Sequence, residues 1–420
     1  MFSQTIIQTI RRLKCNVNIF LNRVDEKESK KAVLYNIIAL SAFSARRVTV
    51  LWWNFPKVAA ANPLPPMYAV ILGFITAFTL TYSIIPVIIR VARERRIYDR
   101  PNERSSHDEP TPSLGGIGIF AGTICAVVLW TPLDAFGVLQ YVLAAFVLIF
   151  LIGVLDDLIP LSPTRKFSGQ LLVAIILAYK SDVRITSLYG VFGVHGLPEL
   201  TSFILSVVVI IAVINSFNLI DGINGLAGSI GLLACVSWGA WFLAIRSPAL
   251  AVVAFSLAGA ITAFLKYNFT PARIFMGDTG SLLIGTVCAI LSINFIEMSH
   301  LASIQPQYAF YSAPAIAIGI LILPLYDTSR VFVQRIIHGR SPFSPDKTHI
   351  HHLLLDLGIS HMNATAILLF INVLFIALAV LFDHLGTSVL LILEIVLMFL
   401  FTFFLQRFSR QQDLDSDSKG

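Results

Sequence analysis

Charge is what this sequence has least of. Asp, Glu, Lys and Arg make up only 13% of its 420 residues, against about 25% in a soluble globular domain. With 56% hydrophobic residues and a mean hydropathy of +0.79, an ordinary soluble globule is excluded. Cysteine is scarce as well: Cys15, Cys125, Cys235 and Cys288 form no CxxC pair, so neither a disulfide framework nor a cysteine metal site is implied. Three of them fall inside apolar stretches, where a small buried thiol is an ordinary packing residue. The isoelectric point near 9.2 raises nucleic acid as a partner. The basic residues collect at the edges of apolar runs, however, so membrane topology accounts for them and no nucleic acid is expected.

What the chain has in abundance is long apolar runs. Eleven predicted spans cover residues 67–90, 114–132, 136–155, 167–180, 201–219, 223–244, 248–266, 279–297, 308–329, 363–382 and 386–406, each near the roughly 20 residues that cross a bilayer as a helix. An all-α polytopic membrane protein follows, because helices satisfy their backbone hydrogen bonds internally in lipid. Alternation divides the loops into two sets. One set, including 90–113, 156–167, 266–278, 330–362 and the tail after 406, carries 17 Lys and Arg; the other carries only Lys180, Arg184 and Arg246. The positive-inside rule makes the first set cytoplasmic.

The first 66 residues fit this scheme badly. They hold ten Lys and Arg, yet alternation places them outside. Their apolar patch Val33–Phe55 is interrupted by Arg46 and Arg47 and lacks the h-region and cleavage site of a signal peptide. Met67 stands directly before the first good span, so the reading is a membrane-spanning unit over 67–408, a polar tail over 409–420, and a 1–66 extension that is a mis-assigned start or is dispensable. An interfacial amphipathic anchor is the alternative.

Every unusual polar cluster falls on the cytoplasmic set. Asp156-Asp157 ends the third span, and neighbouring helical residues point about 100° apart, so the two carboxylates need not serve one purpose. Asn218 and Asp221, three apart in Asn-Leu-Ile-Asp-Gly222, share a helical face. Gly222 and Gly225 permit tight turns or a close ligand. Gly277-Asp278-Thr279-Gly280-Ser281 opens the eighth span: Asp278 suits Mg²⁺, and free N–H groups at a helix start suit phosphate oxygens, although Asp is also a plain helix cap. Phe275 offers a flat ring for a base, or packing. His349, His351 and His352 share a loop with Arg335, Arg340, Asp346 and Lys347; without cysteine, and with so much positive charge, diphosphate binding or proton handling is favoured over zinc. In the first cytoplasmic loop Arg104, Ser106, His107 and Gly115-Gly116 suit an anion. Glu394, midway along the last span, reads as a partnered structural carboxylate.

In residues and in order, these motifs resemble the polyprenyl-phosphate N-acetylhexosamine-1-phosphate transferase family over about Met67–Phe408. Ser341-Pro-Phe-Ser-Pro-Asp-Lys-Thr-His-Ile-His-His-Leu353 is similar to the bacterial undecaprenyl-phosphate GlcNAc-1-phosphate branch, whereas the peptidoglycan branch typically has three successive histidines. The resemblance implies attack by a lipid phosphate on the β-phosphorus of a UDP-sugar, releasing UMP. It places Asp156, Asp157 and Asp278 around Mg²⁺, with Mn²⁺ a substitute, and makes Asp156 or Asp157 the candidate base. Asn218 and Asp221 would orient nucleotide or metal, Phe275 would lie against uracil, and the three histidines would contact the diphosphate. Asn224 stands where several relatives carry a second Asp, which puts in doubt any mechanism needing a carboxylate there. Direct in-line transfer is expected, with an aspartyl-phosphate on Asp221 as the two-step rival. The expected partners are UDP-HexNAc and undecaprenyl phosphate in a bacterial inner membrane, with a homodimer left open. Phospho-MurNAc-pentapeptide transfer is one alternative. An ion-coupled transporter is another, disfavoured because transporter sites lie near the bilayer midplane and often come from inverted repeats.

Overall fold

The computed structural model describes residues 66–97, 111–132, 135–301, 305–339 and 349–417; the N-terminal 65 residues, and with them any test of the extension, lie outside the described residues. Thirteen α-helices follow one another: α1 (Pro66–Glu94), α2 (Gly115–Trp130), α3 (Phe136–Leu158), α4 (Pro163–Lys180), α5 (Glu199–Ile220), α6 (Leu226–Ala244), α7 (Pro248–Asn268), α8 (Gly277–Ser299), α9 (Ala313–Ile320), α10 (Ile322–Ile337), α11 (Ile350–Asp356), α12 (His361–Leu381) and α13 (Thr387–Asp417). Among the described residues there is no sheet, only an isolated bridge between Ser187 and Gly196. The protein is an all-helical polytopic membrane protein. Among the described residues eight helices are long and apolar enough to cross a bilayer, and the bent pair α9–α10 brings the number to nine.

Each expected span meets a helix or a bent helix pair, but among the described residues nine at most rather than eleven qualify as crossings: α2 has only 16 residues, and α4 is not among the helices apolar enough. Two segments also differ in shape. The segment 308–329 is not one continuous helix: its halves Pro306–Ile320 and Ile322–Ile337 are bent by 66°. The fourth span begins at Pro163, earlier than expected. Proline suits the first turn of a helix, where its missing N–H has no partner to lose.

The helices are arranged by burial. In α8, 89% of the spanning window is buried, against 22% in α1 and α13, so α8 is the hub and α1 and α13 form the rim. Small residues let the hub be crossed closely. A Cβ on Gly116 of α2 would stand 2.1 Å from the Gly280 nitrogen, and one on Gly153 of α3 would stand 2.4 Å from the Thr279 Cα. Backbone meets backbone at both crossings, beside the acidic residues that begin α8 and end α3. An apolar groove of about 950 Å³ separates α1 and α12 across α6 and α7, with Lys266 and Phe269 at the end of α7 among its lining.

Candidate active site

Four helix ends meet around one lysine. Lys166, in the first turns of α4, places its ammonium 3.0 Å from Asp156 Oδ2 at the end of α3. It donates to Asp278 Oδ2 at the start of α8 and to Asn218 Oδ1 at the end of α5, at 3.1 Å. Asn218 Nδ2 turns the other way and donates to Asp278 Oδ1 at 2.5 Å and to Ser281 Oγ at 3.1 Å. Asp156 Oδ1 accepts from the Leu161 N–H at 2.6 Å, which holds the short α3–α4 turn. A cation at the N-terminus of a helix opposes the macrodipole; here two carboxylates offset that cost.

The adjacent aspartates divide their work, as their different directions on α3 allow. Asp157 faces α8: Oδ1 accepts from the Asp278 N–H at 2.6 Å, and Oδ2 accepts from the Thr279 N–H at 3.1 Å and from its hydroxyl. It therefore caps α8 from outside the helix. The N–H groups expected to suit a phosphate at this helix start are thus turned to a protein carboxylate.

Asp221 ends α5 half-buried. Burial, then the nearby Asp278 and Asp157 carboxylates, push its carboxyl up to about 8, so it holds its proton near neutral pH. His351 of α11 packs over the following residue: a Cβ on Gly222 would lie 2.3 Å from His351 Nε2. His351 is 2% exposed. Burial first, then the neighbouring His352, lower its pKa to about 3, which keeps the ring neutral. Its ring lies parallel to that of His349 at 5.6 Å and 4.3 Å from that of His352. The histidine segment is anchored by buried Asp327 of α10, whose Oδ2 pairs with His349 Nδ1 at 2.9 Å and whose Oδ1 accepts from the Ile350 N–H at 3.1 Å. Phe275 is half-buried; its N–H donates to Pro112 O at 2.8 Å and its carbonyl accepts from Gly115 N at 2.9 Å, tying the α7–α8 loop to the end of the first loop.

The structure thus brings together Asp156, Asp157, Asn218, Asp221 and Asp278, and adds His351 beside Gly222. His349 and His352 flank His351. Arg104, His107 and Arg340 lie outside the described residues. Asn224 is buried; its amide donates to Thr270 Oγ1 at 3.0 Å and its carbonyl accepts from Thr365 at 2.8 Å. Sequence reasoning did not single out Lys166, Asp327 as the histidine anchor, or Asn268. Asn268 accepts from the Gly225 N–H and donates to Ile274 O, joining the α5–α6 turn to the α7–α8 loop. A signal for Lys166 was present: a basic residue in the first turn of an apolar helix, against the dipole, calls for an acidic partner.

A divalent cation fits this donor set. Asp156, Asp278 and the Asn218 amide oxygen already surround a positive charge, the Lys166 ammonium, and a few carboxylates completed by phosphate and water oxygens are what Mg²⁺ favours. Among the described residues no group of three or more His, Cys, Asp and Glu is placed to hold a metal ion, so a cation here would take most of its oxygens from substrate and water.

Fold and site together define an integral membrane protein with a charge-bridged carboxylate centre at the meeting ends of its helices. Residues 139–296 match the model of glycosyl transferase family 4. The chain is 31% identical over 316 residues to a probable undecaprenyl-phosphate N-acetylglucosaminyl 1-phosphate transferase of Bacillus subtilis, covering 74% of this chain and 84% of that protein. It is 30% identical over 354 residues to the undecaprenyl-phosphate alpha-N-acetylglucosaminyl 1-phosphate transferase of Escherichia coli, covering 79% and 90%. Against the decaprenyl-phosphate N-acetylglucosaminephosphotransferase of Mycobacterium leprae the figures are 30% over 325 residues, 72% and 81%. The chain belongs to glycosyl transferase family 4.

Proposed function

We propose that this protein transfers GlcNAc-1-phosphate from UDP-GlcNAc to undecaprenyl phosphate on the cytoplasmic face of a bacterial inner membrane, beginning the assembly of a cell-surface polysaccharide. The observation that carries this reading is the Lys166–Asp156–Asp278–Asn218 cluster, a centre suited to a diphosphate and a divalent cation. The relatives' names supply the sugar and the lipid class, and the 17-to-3 bias of Lys and Arg supplies the side.

In the reaction a lipid-phosphate oxygen bonds to the β-phosphorus, the bond from that phosphorus to the bridging oxygen breaks, and UMP leaves with that oxygen. Asp156 and Asp278, with the Asn218 amide oxygen, would hold Mg²⁺, which when bound neutralises diphosphate charge. Lys166 is drawn toward the phosphates as its carboxylates are engaged elsewhere. A phosphomonoester has a second pKa near 6, so the attacking oxygen is largely unprotonated at pH 7 and little general-base help is needed. Both adjacent aspartates are already engaged, Asp156 by Lys166 and the Leu161 N–H and Asp157 by α8, which leaves little base function to either. Asp221 orients the nucleotide side, and neutral His351 serves as a hydrogen-bonding partner there rather than as a charge.

Positioning and charge neutralisation carry most of phosphoryl transfer, which favours direct displacement over an aspartyl-phosphate. The test is UMP release in detergent from a panel of UDP-sugars with undecaprenyl phosphate and Mg²⁺. UDP-GlcNAc is expected to be turned over fastest. Preference for UDP-MurNAc-pentapeptide would move the protein to the peptidoglycan branch, and no release from any UDP-sugar would refute the transferase reading.

A further inference from the structure

The break between α9 and α10 gathers acceptor oxygens from three helices. Glu394 of α13 is 0% exposed, and among the described residues neither of its carboxyl oxygens has a hydrogen-bond partner, which differs from its reading as a partnered carboxylate. It lies in the inner part of the spanning stretch Thr387–Phe408, against the last turn of α9: a Cβ on Gly319 would stand 2.6 Å from Glu394 Oε1 and 3.0 Å from the Ala379 Cβ. Asn372 of α12, also 0% exposed, donates to Ile320 O at 3.0 Å, while its Oδ1 has no partner among the described residues. The C-terminal end of α9 adds its own partial negative charge.

Basic groups are distant in sequence from this junction. Helix α9 has no titratable residue, α12 has only His361 at its start, and α13 has none between Glu394 and Arg407. On α10, Tyr326 bonds to Thr402 and Asp327 is paired with His349 and Arg330. Asp383 and His384 lie in the turn before α13, where Asp383 accepts from Tyr311 and Ser312. An ionised carboxylate near a helix centre in lipid costs about 2.5–3.5 kcal/mol even on the generous insertion scale, and a negative helix end raises that cost. Gly319 and Ala379 close on the carboxyl too tightly for a hydrated cation. A proton needs no volume.

We propose that Glu394 is held as a neutral carboxylic acid whose proton is shared with the acceptors at the α9–α10 break, making it a positioning residue for α10. Helix α10 carries Asp327, which anchors His349 and Ile350, so a charge at Glu394 would push the break open and shift the histidine segment. Protonation of Glu394 stands apart from the transferase reading; its effect on turnover rests on that reading.

The test uses the full chain in lipid bilayers. Infrared difference spectra between wild type and Glu394→Gln at neutral pH are expected to contain a protonated-carboxyl band that the variant lacks, and no such band would overturn the proposal whatever the activity. Glu394→Met, apolar and of similar length, supplies the same comparison if the Gln variant does not fold. In turnover, Glu394→Gln is expected to stay within about twofold of wild type at neutral pH and to lose the wild-type decline at alkaline pH. An inactive but folded Glu394→Gln, or an unchanged pH profile, would overturn the positioning role. Absence of UMP release from the wild type would instead count against the transferase reading and leave the infrared result to decide the proton.

Discussion

Replacing Lys166 by Met should make the protein bind Mg²⁺ more tightly while making it a worse enzyme. In the wild type the ammonium occupies the place a metal would need, 3.0 Å from Asp156 and in contact with Asp278. These side chains are 18%, 11% and 26% exposed respectively, so screening is partial. At an effective dielectric of about 20 a unit pair at this distance attracts by about 5–6 kcal/mol before desolvation. Desolvation offsets much of that, leaving about 2–3 kcal/mol that an incoming cation must overcome. Without the ammonium, the dissociation constant for Mg²⁺ should fall by about 30- to 150-fold, since about 1.4 kcal/mol is a factor of ten. The assay is thermal unfolding in detergent against Mg²⁺ concentration, where a ligand of the folded state stabilises according to its occupancy. Lys166→Met should melt lower than wild type in chelator and recover the difference at far lower Mg²⁺. Its UMP release should fall by about two orders of magnitude, the usual effect of deleting one group that stabilises transition-state charge. Equal Mg²⁺ shifts in both proteins, or a larger one in the wild type, would refute the competition.

Asp157→Asn should lower stability by about 1–2 kcal/mol, as the loss of a helix cap does, and Mg²⁺ should not restore it, because the lost bonds are to α8; full rescue by Mg²⁺ would make Asp157 a ligand instead. Asp327→Asn and His349→Ala should each reduce turnover, and the double variant should be little worse than either, since coupled partners are not additive; additive losses in a double-mutant cycle would separate them. His351 gives a pH dependence of definite sign. Its folded pKa of about 3 lies below the unfolded value of about 6.5, so its contribution is intact above pH 6.5 and is lost progressively as pH falls toward 3. One unit below 6.5 the loss is about 1.4 kcal/mol, and melting temperatures of His351→Asn should decline less between pH 7 and pH 5.5 than those of wild type; parallel declines would remove His351 as the source.

The helices were legible because lipid demands long apolar runs; the number of crossings was not, since α2 and α4 fall short of one and the segment 308–329 is a bent pair. The grouping of acidic residues at the same helix ends was legible for a related reason: polar side chains are tolerated there and at few other depths. Which carboxylate does what was not legible. Asp156 and Asp157 are neighbours in sequence, and only the packing of α8 against α3 gives one to Lys166 and the other to the α8 N–H groups. For Lys166 the need of an acidic partner was readable but the partners were not, because they stand 112 residues away at Asp278 and 52 away at Asn218. The break after Ile320 was hidden as well: Pro324 lies beyond it, and Asn372, which holds the Ile320 carbonyl, is on another helix.

The backbone crossings of α2 and α3 over α8 carry a mechanical consequence. With no side chain at Gly116 or Gly153 to compress or rotate, the hub that sets the spacing of the carboxylates is stiff. Rim helices such as α1 and α13 can tilt as a membrane thins or thickens, and the bent α9–α10 arm can flex at its joint, but the crossings on α8 cannot slide without collision. Bilayer thickness should therefore act on the histidine side of the centre and leave the spacing of Asp156 and Asp278 constant, so that a change of lipid alters how the donor is gripped before it alters where the cation sits.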